Sequence, residues 1–111
     1  MRSLVFPMIP FKSIRVGPFD VTIKPLEAED RDKCLGMFSE AQQAILMRDT
    51  YPSDQQEAET FLHELMHAVY ATYGVRAKDP EERIISQMSI GMASVIRDNP
   101  DMIEWLKEKL S

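Results

Sequence analysis

Residues 63–67 read His-Glu-Leu-Met-His, and His63 and His67 are the only histidines in the chain. On a helix, side chains four apart share a face, with Cβ atoms roughly 5–6 Å from each other. Two imidazoles so placed can converge on one zinc ion at about 2.0–2.1 Å each. Glu64, between them, then stands where a general base takes a proton from water that the ion activates. The pattern therefore points to metal-assisted hydrolysis. A polar helix face that happens to carry two histidines is the plainer alternative.

The flanking residues supply the helix. Ser53-Asp-Gln-Gln56 has the S-x-x-Q form of a capping box and starts a helix just after Pro52. Leu62, Leu65, Met66, Val69 and Tyr73 form an apolar stripe at helical spacing, and Gly74 suits its end. With that stripe centred near Leu62 and Val69, the histidines border the core at about 100–140° and Glu64 faces open space at about 160°.

A zinc site that keeps one position for water needs three protein ligands. Cys34 has no spacing to recommend it, and a lone cysteine is more often a small buried hydrophobe. Asp79-Pro80-Glu81-Glu82 opens the next helix, with Pro at its first position and an acidic first turn. Glu82 is the preferred third ligand, with Ser86 one turn later to support it from behind. Glu81 is the alternative, because it shares the azimuth of the stripe Ile85, Met88 and Met92. Each also has an ordinary role at a helix start, Glu82 as capping partner of Asp79 and Glu81 as complement to the helix dipole. A tight antiparallel turn would leave either one about a turn short of His67, so the two helices must cross at an angle.

The elements expected around this centre make an α+β fold in a single domain of residues 1–111. Residues 1–12, with Pro7 and Pro10, read as an extended lead-in. Residues 14–49 read as a small antiparallel sheet. Phe19, Val21 and Ile23 alternate with polar residues, and short strands follow near 35–38 and 43–48. The stretch 38–48 also suits the start of a helix. Residues 53–110 form the helical, metal-binding part, and Asn99-Pro100 separates the Ile85–Ile96 stripe from a terminal helix with Ile103, Leu106 and Leu110.

Net charge is −5, and the 13 basic residues are scattered, which argues against a nucleic-acid partner. No apolar run approaches a membrane span, and Pro7 and Pro10 interrupt the one candidate leader. The single cysteine fits a reducing, cytoplasmic compartment. A peptide or protein is the expected substrate, held by addition to an edge strand such as 43–48. Eight methionines would also suit a zinc-binding interaction module without catalysis, although core filling is their commoner use.

The segment Thr60-Phe-Leu-His-Glu-Leu-Met-His-Ala-Val69, the pair Glu81-Glu82 and the run Arg97-Asp-Asn-Pro100 resemble small phage and prophage proteins regarded as zinc metallopeptidases. These look like minimal gluzincins, distantly similar to ImmA/IrrE-type peptidases. The likeness covers roughly residues 14–106. It implies a zincin-like fold with a short sheet packed on the metal helix. It also implies that His63, His67 and Glu82 or Glu81 hold zinc while Glu64 is the general base. Tyr70 and Tyr73 are the tyrosines within reach of an oxyanion role, but packing is the more ordinary use for both.

Overall fold

The computed structural model describes residues 9–73 and 81–111. Pro7, Gly74, Asp79 and Pro80, with the lead-in and helix-end assignments that rest on them, lie outside those residues. Within them the chain is an α+β fold. Strands β1 (Ser13–Val16), β2 (Phe19–Pro25), β3 (Gly36–Ser39) and β4 (Ala44–Met47) precede helices α1 (Asp54–Thr72), α2 (Glu81–Asp98) and α3 (Pro100–Leu110).

The strand order is β1-β2-β4-β3. β1–β2 and β3–β4 are antiparallel, as expected, but β2–β4 is parallel, so the sheet is mixed. The cause is the connection after β2. It carries the chain past the position β4 will fill, β3 runs back along the outside, and β4 then inserts between them in the direction of β2. β4 is buried at all four residues, Ile45 and Met47 in the main core and Ala44 and Leu46 in a second cluster with Leu26 on the opposite face. This accounts for its unbroken apolar run, Ala44-Ile-Leu-Met47, where a half-exposed strand would alternate. β1 falls within the sheet expected over residues 14–49, although no separate strand was assigned there. It is joined to β2 through Gly17, whose φ of +58° a residue with a side chain rarely adopts.

Ile14, Val16, Val21, Ile23, Ile45 and Met47 from the sheet meet Ala58, Phe61, Leu65, Ala68 and Val69 of α1 in the main core. Phe61 packs edge-on against Phe11 and Trp105, with ring centroids 5.7 and 5.4 Å away. α3 runs back along α1, and Lys109 near its end reaches Glu57 at 2.9 Å and Asp54 at 3.2 Å. α2 approaches α1 at Gly91, where a Cβ would lie 2.6 Å from Val69 Cγ1. That contact turns the buried face of α2 toward Gly91 and Val95, and it leaves Ile85 and Ile96, both expected on the inner stripe, exposed. On α3 the buried residues are Met102, Trp105 and Leu106, while Leu110 is exposed.

Asn99 occupies the N-cap position of α3, yet its side chain makes no capping bond. Its Nδ2 donates to the carbonyls of Val95 and Arg15, and its Oδ1 accepts from the Arg15 amide, all at 2.8 Å. The amide thus pairs with the free edge of β1 as a neighbouring strand would. Asn99→Ala should orphan these groups and destabilise the fold by about 1–3 kcal/mol, read as a lower urea midpoint with unchanged slope.

Candidate metal centre

Ser53 starts α1 as the sequence indicates, its Oγ accepting from the Gln56 amide at 3.1 Å. The reciprocal half of the box is not made. Gln56 Oε1 is instead buried without a hydrogen-bond partner, and the residue lines a cavity that also reaches His63 and Glu64.

The helix is rotated from the expected orientation. Its buried line passes through Ala58, Phe61, Leu65 and Ala68, and Met66 is 41% exposed. Measured from that line, His63 and His67 point away from the core at about 140–180°, whereas Glu64 lies only about 80° off. Both histidines are exposed, and Glu64 is the buried one, at 7% exposure. The expectation that Glu64 faces open space is therefore corrected. Apolar residues surround much of this helix, and the large aromatic Phe61 decides which face turns inward.

What lies above Glu64 is β3. Gly36 passes so close that a Cβ there would stand 2.7 Å from Thr60 Cγ2 and 3.4 Å from Glu64 Cγ. The His pair occupies the channel between β3 on one side and α2 on the other. His63, Glu64 and His67 share a cavity of about 380 Å³ with Cys34, Gly36, Met37 and Phe38. A second cavity, of about 410 Å³, is lined by His63, Met66, His67, Tyr70 and Met88. Toward the start of α1 a third, of about 520 Å³, is lined by residues including Lys33, Gln56, Glu59, His63 and Glu64.

The two Nε2 atoms of His63 and His67 stand 3.3 Å apart, with the rings inclined at 68°. Two nitrogens bound to one tetrahedral zinc at about 2.0–2.1 Å are separated by about 3.3–3.4 Å. The pair therefore fits two adjacent positions of such an ion. An N–H···N bond between the rings would need opposite roles for the two Nε2 atoms.

Glu81 and Glu82 open α2 and are exposed, as is Ser86, whose carbonyl accepts from Ser89 Oγ at 2.9 Å. Among the described residues, no three of His, Cys, Asp and Glu form a group close enough to hold a metal. The structure sets His63, Glu64 and His67 on the wall of one cavity and places neither Glu82 nor Glu81 in a ligand group with them. Tyr73 packs against the main core, whereas Tyr70 lines the cavity beside the pair.

Several lining residues were given other roles, or none, in the sequence. Gln56 and Glu59 lie seven and four positions before His63, and Met66 and Tyr70 lie three and seven after it, so helical spacing alone would have gathered them. Cys34, set aside for lack of spacing, reaches the site through strand order, which no local pattern reveals.

Tyr51 braces the rim. Its hydroxyl donates to the Leu35 carbonyl at 2.6 Å and accepts from the Arg48 amide at 2.9 Å. Burial pushes its pKa from 10.0 up to about 12, with the charges of Glu57 and Glu64 adding to the rise and the Arg48 amide bond opposing it. A raised pKa means that the neutral phenol is favoured in the folded chain. This contribution is complete below about pH 10 and disappears as pH rises through about 12. Tyr51→Phe should remove that component from the alkaline loss of stability, measured as the unfolding midpoint across this range.

Comparison with family models, with curated proteins and with solved structures returns no match. Among the described residues, no helix is long and apolar enough to cross a membrane.

Proposed function

We propose that this chain is a zinc-dependent peptidase, held in a reducing, cytoplasmic setting, in which His63 and His67 bind the metal and Glu64 is the general base. The observation that carries the reading is the 3.3 Å separation of the two Nε2 atoms above a buried carboxylate. Zinc, when bound, polarises a carbonyl and acidifies water. Glu64 takes the proton from the attacking water and returns it to the leaving amine. Its place beneath Gly36 keeps that carboxylate out of bulk solvent while leaving it on the cavity wall.

Substrate binding by strand addition also fits, though on a different strand from the one first expected. β4, residues 44–47, is paired on both sides and has no edge to offer. β3 is the outer strand, and its residues 36–38 share the cavity with the His pair. An extended peptide paired to β3 would lie across the site.

For the third ligand, the contact of Met88 with the His-pair cavity favours Glu81 over Glu82. Glu81 is seven residues before Met88 and so lies about 20° from it around α2, while Glu82 is about 120° away. A turn and a half to two turns of helix, roughly 9–10 Å, separate either from Met88. The start of α2 is the part that would swing in to complete the set.

The test is hydrolysis of a mixed peptide pool by untagged protein, scored as new termini by mass spectrometry. Cleavage should require zinc, stop on chelation and return when zinc is added back. Zinc uptake without any cleavage would favour a non-catalytic zinc-binding interaction module and overturn the peptidase reading.

A further inference from the structure

We infer that the site selects peptides with a bulky apolar residue just before the scissile bond. The inference rests on the peptidase reading and names its substrate class. It comes from the direction of β3 and the unequal chemistry at the two ends of the channel.

β3 runs in the same sense as α1. Gly36 lies over Thr60 and Glu64, whereas Phe38 and Glu40 share a cavity with Ala71 and Thr72, two turns further along. A peptide pairing antiparallel with β3 must run against that sense. Its N-terminal half then lies toward the end of α1 and its C-terminal half toward the start, with the His pair between them.

The two halves meet different surroundings. Toward the end of α1, Met66, Tyr70 and Met88 make an apolar cavity of about 410 Å³ whose other walls are the two histidines. Met66 and Tyr70 are 41% and 38% exposed, a large apolar surface left open beside a polar centre. Methionines adapt to varied apolar shapes, so this cavity sorts side chains by class more than by outline. Toward the start of α1, the cavity of about 520 Å³ mixes polar and apolar walls, with Lys33, Gln56 and Glu59 beside Cys34 and Leu35. The cavity that takes the residue before the bond is thus apolar, while the one that takes the residue after it is mixed.

Short peptide hydroxamates test this, because the terminal hydroxamate chelates the metal and fixes the last residue on the N-terminal side of it. Binding is measured to zinc-loaded wild type and Glu64→Gln, with zinc content determined on the same samples. A probe ending in Phe or Leu should bind at least about tenfold more tightly than one ending in Ser or Asp. Met66→Glu, at an exposed position, should erase that preference without loss of zinc. Equal affinities on a zinc-loaded chain, or a preference for the polar probes, would overturn the inference while leaving the peptidase reading intact. The expected preference in a chain that cleaves no peptide would uphold the inference as a binding property and overturn the peptidase. A chain that takes up no zinc would overturn both.

Discussion

Glu64→Gln should lower zinc-dependent peptide hydrolysis by about 10²–10⁴-fold, the range by which general-base catalysis accelerates such steps. Zinc affinity and folding should stay as they are. Gln is close to isosteric with Glu, so the tight fit beneath Gly36 and Thr60 is preserved. Nor is a structural bond sacrificed, since among the described residues the Glu64 carboxylate has no hydrogen bond or ion pair. What the substitution removes is the ability to accept and return a proton. A kcat that falls with little change in KM would mark a group acting in the transition state. Full activity in the variant would show that the base lies elsewhere. The non-catalytic module predicts no difference between the two proteins in zinc or partner binding.

The next largest effect concerns the ligands. His63→Ala and His67→Ala should each weaken zinc binding by more than about 100-fold, since even partners that merely orient a ligand are worth about 10–100-fold. Both side chains are exposed and pack little, so the apo fold should be almost unchanged. Competition against a chelating dye measures the affinities, and thermal melting supplies a second readout. Zinc at a hundred times its dissociation constant stabilises wild type by about 2.7 kcal/mol, and that gain should vanish in both variants. Glu81→Gln should lower affinity more than Glu82→Gln if the face of α2 marked by Met88 supplies the third donor. The reverse order would restore Glu82 to that place. Wild-type affinity in either histidine variant would break the proposed pair.

The two histidines and the helix that carries them were legible because each rests on local chemistry. Ser53 caps through its own hydroxyl, Pro100 opens α3, and four-residue spacing brings His63 and His67 together whatever the tertiary context. Which way α1 faces was legible only in part. Leu65 and Val69 of the expected stripe are buried, but the three-ring cluster of Phe11, Phe61 and Trp105 turns the buried face away from Met66. Glu64 changed from an exposed to a buried residue for that reason. The edge strand was missed on similar grounds. Apolar character identified residues 44–47 as a strand, but being apolar on both faces also made it central, and the exposed edge passed to β3. Whether α2 supplies the proposed third ligand depends on how it crosses α1. That angle is set by the bare backbone of Gly91 against Val69 and Tyr73, a contact between residues far apart in the chain.

Every step of the proposed catalysis depends on His63 and His67 sharing one ion. The most direct test is the zinc content of the untagged full chain after equilibration with excess zinc and removal of the unbound metal. About one zinc per chain is predicted for a single tetrahedral site. A content near zero, unchanged by further added zinc, would contradict the account.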